Sequence, residues 1–112
     1  MEVRKWHVYL ADLNPKIGTE PGKVRPVVVV QTDLLNSTHP STIICPITTN
    51  VQPEAQVLRV HLRKGEAGLK QRSDVMVDQL RAIDNRRLIR QLGKISRRSQ
   101  ENLARSIHIV LE

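Results

Sequence analysis

Four valines in a row, Val27-Val28-Val29-Val30, sit inside the run Val24-Arg25-Pro26-Val27-Val28-Val29-Val30-Gln31-Thr32-Asp33-Leu34-Leu35-Asn36 and leave this chain little conformational choice. β-Branched residues favour extended backbone, and a continuous apolar run, unlike an alternating one, belongs to a strand covered on both faces at the middle of a sheet. Pro26 is tolerated at the start of such a strand, where no ladder donor is yet required, and it biases Arg25 toward an extended backbone. An arginine is thereby held at the mouth of a rigid buried strand. At the far end, Asp33-Leu34-Leu35-Asn36 reads as a single helical turn capped by Asp33, leading into a second β-branched run from Thr42 to Thr49. If the two runs pair antiparallel through that connection, the start of the first lies beside the end of the second. Arg25 then faces Thr48 and Thr49.

Around this pair the pattern stays mostly β. Residues Trp6 to Leu13 alternate as a first strand and end at Asn14-Pro15, and the loop from Lys16 to Lys23 is longer than a tight hairpin needs. Val57 to Leu62 reads as a half-exposed strand with Arg59 and His61 on its wet face, and Ser73 to Leu80 as another, interrupted by the polar Asp78 and Gln79. Leu88 to Ile95 is a short strand or turn, with Gly93 ruling out helix. From Arg97 the spacing of Leu103, Ala104, Ile107, Val110 and Leu111 predicts one amphipathic helix, with Ser96 or Ser99 as its N-cap. The expectation is a single domain over residues 1–112: a twisted, mainly antiparallel sheet of five or six strands with one C-terminal helix.

Charge narrows the function. Eighteen Lys and Arg against eleven Asp and Glu leave a net charge of +7 on 112 residues, and from Arg86 to Arg105 seven basic residues stand against one acid. That balance favours a polyanionic partner, nucleic acid before a membrane surface, because no basic amphipathic helix dominates the chain. There is no signal peptide and no apolar run near the ~18 residues of a membrane span, so a reducing cytoplasm is the expected compartment and no membrane partner is expected. The lone Cys45 lies in an apolar strand, as a buried inert thiol would. His7, His39, His61 and His108 lack metal-ligand spacing, and neither a metal nor another cofactor is expected. What remains is arginine and hydroxyls on a basic scaffold. The guanidinium fork suits a phosphodiester, and Thr48 or Thr49 can add a hydrogen bond to a nonbridging oxygen. Together they could stabilise the transition state as an RNA 2′-hydroxyl attacks its own phosphate. The competing reading pairs Arg25 with Glu20 or Asp78 in a structural ion pair.

The stretch from Asp12 to Val30, with its proline, glycine, glutamate and glycine ahead of Arg25-Pro26 and an apolar strand, closely resembles the opening of the MazF/PemK family of toxin endoribonucleases. The likeness continues through Asn36, Pro46-Ile47-Thr48, Asp78-Gln79 with Arg81, Ile83-Asp84 and Arg87-Leu88, nearly the whole chain. The resemblance implies a homodimer of SH3-like small barrels that cleaves single-stranded RNA at short motifs without a metal, leaving 2′,3′-cyclic phosphate and 5′-hydroxyl ends. It implies catalytic roles for Arg25, Thr48 and Asp78, and RNA contacts from Lys16, Thr19, Glu20, Lys23, Thr49 and Gln79. It also implies a cognate antitoxin whose acidic tail wraps the toxin.

An arginine stays protonated below a pKa of about 12, so phosphate binding and charge stabilisation suit Arg25 better than the role of base, which stays open. Where many members begin the first strand with Gly-Asp, this chain has Trp6-His7, and Met76 stands where some carry a second arginine. Only Trp6 and Tyr9 are aromatic, so base stacking rests on those two at most. Two alternatives stand beside this reading: a gyrase poison resembling CcdB, which shares the fold without nuclease activity, and a non-catalytic nucleic-acid-binding module.

Overall fold

A computed structural model describes residues 1–15, 17–19 and 22–112. The valine run forms β2 (Val24–Val29), and Val27, Val28 and Val29 are wholly buried. Successive side chains point to opposite faces, so one strand feeds two cores. Val28 joins Val8, Cys45, Ile47, Val75 and Leu103 on one side, and Val27 and Val29 join Tyr9, Ala11, Ile44 and Ile83 on the other. β1 (His7–Asp12) and β3 (Ser41–Thr48) flank β2 antiparallel, with Leu10 opposite Pro26 and Val27 opposite Pro46. The helical turn α1 (Asp33–Asn36) links β2 to β3. Its cap is Thr32 rather than Asp33: the Thr32 hydroxyl accepts from the Leu34 amide at 3.3 Å. Asp33 stands one residue inside, where its carboxylate accepts from the Lys5 amide and the Asn36 side chain.

The second edge of β3 is shared by two strands. β6 (Arg81–Asp84) pairs along Ser41 to Ile44 and β5 (Ser73–Met76) along Ile47 and Thr48, while Pro46, which has no N–H, lies between the two pairings. The strand expected over residues 73–80 therefore stops at Met76, and Val77–Gln79 makes a 3-10 turn into β6. β4 (Arg59–Leu62) pairs with the outer edge of β5, and β7 (Leu88–Lys94) pairs with β1 through two register shifts. The sheet order is β4-β5-β3-β2-β1-β7, with β6 added on β3: seven strands, not the expected five or six. The short β6 was hidden because only Ile83 of its four residues faces the core.

Gly93 lies within β7, not at a helix break. The turn at Glu66–Gly68 crosses this strand so closely that a Cβ on Gly93 would stand 2.6 Å from the Ala67 carbonyl carbon. The chain closes with α2 (Arg97–Leu111), where Ser96 is the N-cap and accepts from the Ser99 amide at 3.2 Å. Leu103 anchors the helix in the core with Ile107 beside it, whereas Ala104, Val110 and Leu111 are exposed. The buried stripe instead runs through Ser99, Leu103 and Ser106. Among the described residues no helix is long and apolar enough to cross a membrane.

Candidate active site

The β2–β3 pairing ends with Val27 opposite Pro46, two residues short of Arg25 on one strand and of Thr48 on the other. Both strands emerge here from the core, so their end residues are placed by everything buried behind them. A groove of about 440 Å³ opens at this point, bounded by Lys23, Arg25, Thr48, Thr49, Asn50 and Lys70. That volume is within the range of small-ligand sites, and three cations line it. The Arg25 side chain is half-buried; its Nε donates to the Gly22 carbonyl at 3.1 Å, which aims the rest of the guanidinium at the groove. Burial lowers its pKa from the ordinary arginine value. The Thr48 hydroxyl accepts from the Asn50 amide at 3.1 Å. With a lone pair thus occupied, its own proton is free to be donated elsewhere, to an anionic oxygen in the groove.

Lys23 borders the groove in a left-handed conformation (φ 68°), its amide donating to Asn14 Oδ1 at 2.7 Å. Thr49 lines the groove as well as Thr48, because β3 ends at Thr48 and strict strand alternation ends with it. Thr19 is exposed and outside this lining; Lys16 and Glu20 lie outside the described residues. Asp78 and Gln79 are not among the residues that line the groove. They sit on the 3-10 turn that follows β5, where the Asp78 carboxylate is close enough to Cys45 of β3 to help raise its thiol pKa. Among the described residues Arg25 makes no ion pair with Asp78, and burial lowers its pKa; the other partner considered, Glu20, lies outside the described residues. The groove also gains residues that spacing did not flag: Asn50, Lys70 and Gln71. The one available signal was the polar, basic Lys70-Gln71-Arg72 immediately before a strand.

The surroundings of other side chains bear on the roles considered for them. Tyr9 is wholly buried, donating through its hydroxyl to the Glu2 carbonyl at 2.8 Å, and is unavailable to stack on a base. Trp6 packs partly against the core under the Lys5 ammonium. Burial, and secondarily the Asp78 carboxylate, pushes the Cys45 thiol up to about 12, which removes it as a nucleophile near neutral pH. Arg59 and His61 do share one face of β4, but it is not simply wet: both turn onto Asp74, a fully buried carboxylate that the sequence pattern did not single out.

An antiparallel sheet with a C-terminal helix, and an arginine and a threonine lining one basic groove, define a small mainly β protein. The chain belongs to the family described as PemK-like, MazF-like toxins of type II toxin-antitoxin systems, which matches residues 4–111. It is 32% identical to Endoribonuclease EndoA of Bacillus subtilis over 111 residues, covering 99% of this chain and 96% of that protein. It is 33% identical to Endoribonuclease MazF of Staphylococcus saprophyticus over 109 residues, covering 97% and 91%. Among solved structures, the Mycobacterium tuberculosis toxin MazF-mt6 superposes with a TM-score of 0.78 at 25% identity, covering 94% of this chain and 95% of that one.

Proposed function

We propose that the whole chain is one endoribonuclease domain, the toxin of a toxin-antitoxin pair, and that it cuts single-stranded RNA in the groove between Arg25 and Thr48. The observation that carries this reading is the groove that Arg25 and Thr48 line together with Lys23 and Lys70. In the reaction the 2′-oxygen bonds to the adjacent phosphorus and the bond from phosphorus to the 5′-oxygen breaks. The 2′-hydroxyl loses a proton and the leaving 5′-oxygen gains one, giving 2′,3′-cyclic phosphate and 5′-hydroxyl ends. Arg25 remains a cation near neutral pH despite its burial, and opposes the charge that builds on the nonbridging oxygens. Thr48 donates to one of those oxygens. Neither role requires a metal, so purified protein should cut naked RNA at an undiminished rate in excess EDTA. Uncut RNA, or cutting that EDTA abolishes, would refute this chemistry. The gyrase-binding alternative is not favoured, because the relatives matched are named endoribonucleases.

The same reading includes a homodimer and an antitoxin. Exposed apolar residues at Val57, Leu58, Ile109 and Leu111 offer surface for a second copy. A net charge of +7 and the cations of the groove suit an extended acidic segment that occupies the place of RNA phosphates. Inhibition by the cognate antitoxin is therefore expected to compete with RNA, to weaken as salt rises, and to weaken in Lys23→Glu. Antitoxin affinity unchanged by both salt and Lys23→Glu would exclude electrostatic mimicry of RNA.

A further inference from the structure

Asp74 is wholly buried and directly opposes Thr48 across the β3–β5 pairing. Its carboxylate is held from three directions. Arg59 Nη1 donates to Oδ2 at 3.1 Å, the Gln52 amide donates to the same oxygen at 2.8 Å, and His61 Nδ1 lies 2.7 Å from Oδ1. Arg59 Nη1 carries two hydrogens, and it also donates to the Asn50 carbonyl at 3.0 Å. His61 Nε2 reaches the Ala55 carbonyl at 2.9 Å. Three of these contacts reach the segment that follows Thr48, at Asn50, Gln52 and Ala55. Asn50 in turn supplies the amide that the Thr48 hydroxyl accepts.

A buried ion pair is a weak source of stability. Withdrawing a carboxylate and a guanidinium from water costs several kcal/mol, and well-packed apolar residues of similar volume commonly serve stability as well or better. Asp74 lies in a strand whose next residue is the fully buried Val75, where another valine would suit the sheet. What a valine could not do is gather the residue 50–55 segment at three points. The charged cluster adds geometry, and the geometry ends at Thr48.

We propose that Asp74 and Arg59 are positioning residues for the Thr48 hydroxyl. Asp74 fixes the Arg59 guanidinium, Arg59 fixes the Asn50 carbonyl, and Asn50, so held, presents its amide to Thr48 Oγ1 and leaves the hydroxyl proton directed at the substrate phosphate. This inference rests on the role given to Thr48 under the proposed function.

The test combines cleavage kinetics with amide hydrogen exchange on Asp74→Asn, which keeps the shape of the side chain and removes its charge. Because displacement of a catalytic group by about 1 Å can cost up to about a hundredfold, a partly loosened Thr48 should lower kcat about tenfold while KM, set by the cations of the groove, stays within about twofold. In a Thr48→Val background the same substitution should cost nothing further, since there is no hydroxyl left to aim. The Asn50 and Gln52 amides should exchange faster, with the Leu103 amide unchanged. Arg59→Met, which leaves Asp74 its contacts with His61 and Gln52, should show the same pattern and serves if Asp74→Asn does not fold. Equal losses in the parental and Thr48→Val backgrounds, or parental kcat and parental Asn50 exchange in a folded variant, would overturn the proposal. If the parental protein itself fails to cut RNA, the proposed function falls, while the exchange measurements still decide whether the cluster holds Asn50.

Discussion

Arg25→Ala is expected to fold and to cleave RNA about a hundredfold more slowly than the parent, a loss on the order of 3 kcal/mol of transition-state stabilisation. The size follows from the kind of group removed. A half-buried cation beside a reacting phosphate would act where water screens it poorly, and Arg25 is carried on the strand whose valines fill both cores. The structural cost should be small. Among the described residues the side chain makes one hydrogen bond, to the Gly22 carbonyl, worth about 1 kcal/mol, so the melting temperature should fall by only a few degrees. Arg25→Lys should restore part of the rate at most, since an ammonium keeps the charge and loses the fork. A folded Arg25→Ala protein with the parental rate would show that the guanidinium does not serve the reaction.

Thr48→Val is expected to lower the rate by about a hundredfold, the usual cost of losing one well-placed donor to a developing oxyanion. Valine matches threonine in shape, so the strand end should persist, and the Asn50 amide, on an exposed residue, can turn to water for its acceptor. Thr49→Val should cost far less although Thr49 borders the same groove. Thr48 is the last residue of β3, and it is the Thr48 hydroxyl that accepts the orienting hydrogen bond from Asn50. Rates measured side by side on one oligonucleotide decide the matter. A larger loss from Thr49→Val than from Thr48→Val would mean that the groove receives the phosphate on its outer lip.

Much of this arrangement is legible in the linear chain because it rests on local rules. Four consecutive valines ask for a strand buried on both faces, and β2 is that strand. The brief helical connection makes the next β-branched run its antiparallel neighbour, which brings Arg25 to Thr48 without any knowledge of the remaining elements. Ser96 ahead of Leu103 and Ile107 likewise places the start of α2. The resemblance to MazF and PemK toxins adds the chemistry, since an arginine and a threonine alone admit several readings.

Other features depend on which distant segments meet, and no local pattern encodes that. Asp78 stands in a stretch that reads as a continuing strand, yet β3 has only one free edge to share between β5 and β6, so the chain turns at Val77–Gln79 and Asp78 stands on that turn. Alternation puts Arg59 and His61 on one face of β4, but whether that face meets water or a carboxylate depends on the strand paired beside it. The β4–β5 register sets His61 opposite Asp74, and the β3–β5 register sets Asp74 opposite Thr48. The sequence by itself determined that two buried strands would present arginine beside threonine, because burial and strand periodicity act between near neighbours. Only the tertiary structure decided which charges stand behind that threonine, because hydrogen bonds between residues far apart in the chain exist only once the sheet has chosen its pairings.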